Sequence, residues 1–350
     1  MVPSSQLKTA SEYIAAFEAP LSREAFQPDP RHLLRIGCHL GIIFGGYVVL
    51  RETGMVWLAV LASLIIGHSQ ASLVFLGHSL GHNVILKNAR ARRALEMVIW
   101  PLNLIPPSLW IRLHNQTHHP EVNTPRDTDR VYRASESTPA THLYMRLFHP
   151  NRQTPLRHPL VFFHFITYVI RHLVAAFMSG DAKPSVVTHK PYYSPALRRT
   201  LLLELAIIAG LQIAMFLFMR GSWWRYVLAV PVPILAASAV AMTYIYTQHF
   251  LNPLCERGDP VVGATTIIVP RWADWLHDNV SYHIEHHLFP GMNPRYYPVV
   301  SRLLQQHFPD RYNRIPFGEA WRRIWAHDQF ISEPDSLPGM ESAALRMAAE

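Results

Sequence analysis

Apolar residues in this chain gather into long, nearly uninterrupted runs rather than along one face of short amphipathic segments. Residues 33–50, 55–76, 201–219 and 226–246 form four such runs, each near the roughly 20 residues that a helix needs to cross a bilayer. Only a helix satisfies its own backbone polar groups in hydrocarbon, so the pattern predicts an all-α membrane protein with about four transmembrane helices. Short polar breaks at 51–54 and 220–225 join the first two and the last two runs as hairpins. Trp223 and Trp224 in the second break fit an interfacial aromatic belt.

Two further apolar stretches are not expected to cross singly. Residues 98–111 are short and interrupted by Pro101, Pro106 and Pro107, which predicts a re-entrant or interfacial element. Residues 160–178 carry His164, Arg171 and His172 inside the apolar run, which predicts a helix lying in the interface plane. A hairpin made of the two stretches would leave the same parity of crossings. The polar segments flanking the spans carry Lys87, Arg90, Arg92, Arg93, Lys183, Lys190, Arg198 and Arg199. The positive-inside tendency then puts them in the cytoplasm and both tight breaks on the far side.

Composition changes this picture little. At 350 residues and 49% apolar the chain can bury a large core. It divides into an N-terminal cytoplasmic segment (1–32), one membrane domain with a helical cytoplasmic cap (33–331), and a polar C-terminal tail (332–350) expected to be mobile. The net charge of +8 comes from scattered basic residues that flank apolar runs, which speaks for membrane orientation and against nucleic-acid binding. Cys38 and Cys255 give neither a disulfide framework nor a CxxC knuckle, and read as small core residues. The first 30 residues are polar and mixed in charge, unlike a signal peptide, so the first span is expected to insert by itself.

Histidine is what changes the picture. Of 21 histidines, nine fall in four places: His78 and His82 in HSLGH, His114, His118 and His119 in HNQTHH, His249 in TQHF, and His283, His286 and His287 in HIEHH. Spacings of three, four and five put imidazoles at neighbouring positions on one helical face. A given three-histidine pattern is expected by chance on the order of 0.08 times in such a chain, and two occur. A structural zinc ion closes with about four ligands and a catalytic one keeps about three. Nine neutral nitrogens therefore suit two redox-active ions, each with a position left open, and iron fits best. His249 stands alone at the end of a span and is the least secure of the nine. His68, His142, His158, His164, His172 and His277 lack a partner at helical spacing and read as interfacial or hydrogen-bonded bystanders.

An all-nitrogen iron pair suits O2 activation and hydrogen removal from an unactivated C–H bond, the protein positioning the substrate and excluding water. Ligand imidazoles commonly donate their second N–H to a carboxylate or carbonyl. Glu285, Asp278, Asp127 and Asp129 lie near enough in sequence to serve, with Glu285, between His283 and His286, favoured.

The three boxes, with NVSYHIEHHLFPGMNPRYYP around the last, resemble the integral-membrane fatty acid desaturase family over about residues 35–320. The resemblance implies a mushroom-shaped helical fold, a histidine-ligated di-iron centre with O2 as co-substrate, and insertion of a double bond into a fatty acyl chain. It carries metal-binding, and so catalytic, roles to His78, His82, His114, His118, His119, His283, His286 and His287, and His249 matches the extra histidine at the end of the fourth span in such enzymes. No HPGG haem motif is present, so electrons are expected from a separate carrier, a ferredoxin before a free cytochrome b5 or a rubredoxin. CoA, an acyl carrier protein and a glycerolipid are the alternatives for the acyl head, and membrane lipid surrounds the spans. The compact length suggests a bacterial inner membrane, with the site facing the cytoplasm.

A membrane hydroxylase or an acetylenase would use the same metal pair, and HIEHHLFP favours the desaturase. A metal transporter, the non-enzyme alternative, predicts ionisable groups along the spans, whereas here the histidines gather at one membrane face.

Overall fold

Five helices of the computed structural model are long and apolar enough to cross a membrane: α2 (Arg31–Glu52) within a longer stretch, α3 (Val56–Gly81), Pro159–Phe177, α8 (Pro195–Phe218) and Trp223–His249. Four of these are the predicted runs, and the fifth is the stretch expected in the interface plane. A bent pair, Ala89–Asn103 and Pro107–His118, turns by 97° at its break, in keeping with the re-entrant or interfacial element expected around Pro101, Pro106 and Pro107. The structure describes residues 1–17, 21–29, 31–129, 138–150, 159–187 and 189–326. His158 and the tail from Ser332 lie outside the described residues.

Around the spans, chain order runs α1 (Ala10–Ala15), α2, α3, α4 (Ala89–Ile99), α5 (Pro107–Trp110), a π-helical segment (Ile111–His118), α6 (Pro139–Phe148), α7 (His164–Phe177), α8, α9 (Trp223–Ala229) and α10 (Pro231–His249). Then follow β1 (Thr266–Ile268), α11 (Arg271–Leu276), α12 (His283–Leu288), α13 (Tyr297–His307), β2 (Arg314–Pro316) and α14 (Phe317–Ala326). The parallel pairing of β1 with β2, Ile267 opposite Ile315, is a small addition to an otherwise helical architecture. The chain forms two units.

The first unit to consider, residues 28–111 and 193–242, is apolar on its outside. Leu34, Phe44, Leu203 and Leu217 are each at least 65% exposed, which suits contact with lipid because hydrocarbon removes the penalty water would impose. Small residues allow close helix approach inside it. A Cβ at Gly67 of α3 would lie 2.6 Å from Ala236 Cβ and 2.7 Å from the Pro233 carbonyl of α10. The buried carboxylate of Glu204 is paired: it accepts from the Ser108 amide at 3.1 Å and meets Arg93. Arg220 meets Glu52 at 2.6 Å, so both hairpin turns lie at the same end of this unit, as the basic flanks predict. Cys38 is exposed, not a core residue, because α2 turns that face outward, whereas Cys255 of the other unit is buried.

The other unit, residues 1–27, 112–192 and 243–350, holds most of the histidines. The N-terminal segment belongs to it: Tyr13 and Arg311 both hydrogen-bond Asp259, Lys8 N donates to Asp259 at 2.7 Å, and Asn293 N donates to the Ala25 carbonyl at 2.7 Å. Tyr13, Ile284, Leu288, Val300 and Leu304 share one hydrophobic cluster, which seats α12 and α13. On α7, Ile170, Val174 and Phe177 point outward while His164, Tyr168, Arg171 and His172 are buried. The charged residues inside this apolar run thus face protein, not water, which removes the sequence-level reason for placing them at the interface.

Candidate metal centre

Box two is wound as a π-helix, and the winding answers a difficulty in its spacing. An α-helix brings residues three and four apart together, but His114 and His119 are five apart. In the segment Ile111–His118 the His119 amide donates to the His114 carbonyl at 3.1 Å, the five-residue step of a π-turn. The His114 and His119 Nε2 atoms are 3.2 Å apart as a result.

The loop after box two folds back on it. Asn123, at φ 54, takes a left-handed conformation that asparagine tolerates. Its amide donates to Asp127 Oδ2 at 2.8 Å. Asp127 Oδ1 accepts from His118 Nδ1 at 2.8 Å and from the Asp129 amide at 2.9 Å. Burial alone would push the Asp127 carboxyl up, but the neighbouring His118 imidazole and the Asn123 amide hold it below the usual carboxylate range. Asp129 Oδ2 lies 3.7 Å from both His114 Nδ1 and His118 Nδ1, and its Oδ1 accepts from the Tyr168 hydroxyl at 2.7 Å.

Box three stands on α12, where spacings of three and four put His283, His286 and His287 on one side. Ile284 and Leu288 pack into the core from the other side. Glu285 also points away from the imidazoles: it accepts from Thr266 Oγ1 at 2.5 Å and from the Tyr312 hydroxyl, anchoring α12 to β1 and to the segment before β2. Burial pushes its carboxyl up to about 7, against the lowering effect of those two hydrogen bonds. The expected partnership of Glu285 with a ligand histidine is therefore corrected, since residue 285 falls on the helix face opposite 283, 286 and 287. Asp278 is buried at a left-handed position, φ 59, in the turn before box three.

His249, the lone candidate, ends α10. Gln248 Nε2 donates to the Val280 carbonyl at 2.6 Å, tying this helix end to the turn before α12. Its own Nδ1 donates to the Gly263 carbonyl at 3.4 Å, and its Nε2 lies 2.6 Å from His283 Nε2.

Two groups of imidazole nitrogens result within this unit. Ligating atoms of His118, His249, His283 and His287 all lie within 4.8 Å of one another, and all four residues are buried. His114, His119 and His286 form the second group, with His286 Nε2 3.0 Å from His119 Nε2. Box one lies in the other unit: His78 in the last turn of α3 and His82 as its C-cap, rings 5.0 Å apart, at the helix end away from the hairpin turn.

The ring orientations fit a cation. Hydrogen bonds occupy Nδ1 of His118, His249 and His286, the last with the Tyr297 hydroxyl at 3.1 Å, and the pure acceptors Asp127 and the Gly263 carbonyl leave the lone pairs of His118 and His249 on Nε2. Lone pairs facing one another at such separations repel unless a positive charge sits among them. His118 Nε2 is fully buried and has no hydrogen-bond partner among the described residues, a cost that a metal ion would remove. The Tyr297 and Gly263 contacts were not foreseen. Tyr297 is eleven residues from His286 with no periodic link, although it stands in the quoted PRYYP run. Among the bystanders, His164, His172 and His277 hydrogen-bond Tyr144, the Thr128 carbonyl and Tyr244, at 2.9, 3.2 and 2.8 Å.

Comparison with known proteins adds two findings. The family described as Fatty acid desaturase matches residues 55–318. The mouse (Mus musculus) Fatty acid desaturase 2-like protein FADS2B is 24% identical over 309 residues, 79% of this chain and 56% of the mouse protein. The chain thus spans little more than half the length of that curated relative.

Proposed function

The chain belongs to the fatty acid desaturase family, and from that premise we propose that it is an O2-dependent fatty acyl desaturase whose nine box and span-end histidines hold two iron ions. His118, His249, His283 and His287 take one ion. His114, His119 and His286 take part in holding the other, and the family pattern adds His78 and His82 to the ligand set. The observation that carries the reading is the convergence of buried Nε2 atoms whose opposite nitrogens are already hydrogen-bonded. Imidazole alone also suits zinc or copper, and the family favours iron.

Such an iron pair, when bound, supplies the redox chemistry that activates O2 for removal of two hydrogens from neighbouring acyl carbons, the electrons coming from a separate carrier. A ferredoxin is the favoured carrier, with a free cytochrome b5 or a rubredoxin as alternatives. The protein's own groups hold and exclude. Asp127 and Asp129 orient box two, Tyr297 orients His286, and the buried setting of all four histidines of the first group keeps bulk water from the reacting carbons. The acyl substrate is carried as a CoA, acyl carrier protein or glycerolipid ester, and the basic flanks favour a site on the cytoplasmic face of the membrane.

Expression in a host without desaturases, with lipid profiling by mass spectrometry and metal analysis of the purified protein, tests the reading. New unsaturated acyl chains and about two irons per chain are expected. An unchanged acyl profile from an iron-loaded, membrane-inserted protein would refute it, and hydroxylated chains in place of unsaturated ones would transfer the chain to hydroxylation.

A further inference from the structure

One buried charge plays no part in the metal centre. Arg171, on the inner face of α7, is 5% exposed. Its Nη1 donates to the Val186 carbonyl at 2.9 Å, and its guanidinium lies over the rings of Tyr144 and Tyr168 at 5.7 and 5.4 Å. Among the described residues its Nε and Nη2 have no hydrogen-bond partner, and no carboxylate oxygen pairs with it within 4.0 Å. The nearby acid, Asp129, is engaged by Tyr168 and turned toward His114 and His118. The adjacent imidazole His172 also leaves Nδ1 without a partner, as His164 leaves Nε2.

A buried cation with unused donors is expensive, and structures normally supply the counter-charge. The two unused groups of Arg171 are not arbitrary. The Nε–H and one Nη2–H form a single edge of the guanidinium and point in parallel, the fork that grips two oxygens of a carboxylate or phosphate. The adjoining face of the same helix presents Ile170, Val174 and Phe177 outward, a stripe suited to hydrocarbon. A ligand that satisfies both faces has an oxyanion head and an apolar tail.

We propose that Arg171, with Tyr144, Tyr168 and His172 around it, is a binding site for the oxyanion head of a lipid, gripped side-on through Nε and Nη2. Two sources share that chemistry, the carboxylate of a free fatty acid and the phosphate of a phospholipid. The site stands on α7 and its neighbours alone and does not depend on the desaturase reading.

The full chain, purified in a neutral detergent, would be titrated with oleate, dioleoyl phosphatidate, inorganic phosphate and, as the uncharged control, methyl oleate, following the thermal midpoint and bound lipid by native mass spectrometry. Wild type should bind oleate or phosphatidate on the order of tenfold more tightly than methyl oleate, with a matching rise in midpoint. Arg171→Lys keeps the charge without the fork and should lose most of that preference, and Arg171→Gln all of it. If Arg171→Gln does not fold, Arg171→Lys carries the test. Preference for oleate assigns a fatty-acid carboxylate, and preference for phosphatidate assigns a phospholipid. Inorganic phosphate matching either lipid would overturn the lipid-borne assignment. Equal binding by wild type and Arg171→Lys, or no preference over methyl oleate, would overturn the site itself. Iron content is measured in parallel: loss of lipid preference with iron retained is the expected pattern, and it separates this site from the metal centre.

Discussion

Asp127 accepts hydrogen bonds from His118 Nδ1 and from the Asn123 and Asp129 amides, so one carboxylate both closes the loop and fixes the ring of a candidate ligand. Asp127→Asn should therefore lower iron affinity by about 10–100-fold, the usual cost of losing such a partner, as read by chelator competition on the purified protein. Unchanged iron retention would remove Asp127 from the support of box two. His249 carries a sharper expectation, because its Nε2 sits 2.6 Å from that of His283. His249→Ala should lose iron and turnover as fully as His286→Ala, whereas near-normal iron and measurable product would return His249 to the bystanders. The three candidate boxes were legible in the sequence because imidazoles at helical spacing leave a local signature, whereas the lone His249 has none. The residues that aim the rings were only half legible. Asp127 and Asp129 follow box two closely, but Tyr297 and the Gly263 carbonyl reach their histidines through tertiary folding, and Glu285 looked right by adjacency while standing on the wrong face of α12.

Among the elements, α12 and the N-terminal segment depend on a common support, the Asp259–Arg311–Tyr13 cluster. Asp259 is fully buried, so Arg311→Met leaves its charge without its guanidinium partner. That loss should cost about 3–5 kcal/mol, read as a lower thermal midpoint together with faster proteolysis within the first 27 residues. A midpoint equal to wild type would show that the N-terminal segment does not depend on this tie. In the other unit the close approach of α3 to α10 permits no side chain at position 67. Gly67→Val should destabilise by about 1–3 kcal/mol through overpacking, while Gly37→Ala, inside α2 where a Cβ meets nothing within 4 Å, should hold or raise the midpoint in the same thermal assay. Helices of this kind were legible from apolar run length. The π-winding of box two was not, since its only trace is a five-residue histidine spacing that an α-helix cannot serve. The short β1–β2 pair was missed because three-residue strands show no period.

For the molecule as a whole, the rings of His118 and His249, 4.7 Å apart in one unit, set a rule for the membrane. Two residues that meet lie on the same side, so the chain between them crosses an even number of times. Three stretches between them qualify by length and composition: Pro159–Phe177, Pro195–Phe218 and Trp223–His249. One of the three must therefore fail to cross alone. The last two are joined by the tight turn bearing Arg220, whose pairing with Glu52 places it beside the α2–α3 turn, as expected of two parallel hairpins. That leaves α7. Its polar face is engaged with the histidine-bearing unit, with Tyr168 on Asp129 and His172 on the Thr128 carbonyl, and its apolar face Ile170, Val174 and Phe177 is free to lie along lipid. Parity thus favours the interface placement expected from sequence, on a different ground from charged side chains seeking water, and labelling tests it. Single cysteines at Ala140 and Asp181, in a Cys38→Ser, Cys255→Ser background, bracket α7 at exposed positions. Both should react with an impermeant thiol reagent from the same side of sealed vesicles, and a cysteine at Gly54 from the opposite side. Labelling of Ala140→Cys and Asp181→Cys from opposite sides would mean that α7 crosses, and that α8 or α10 must then turn back within the bilayer.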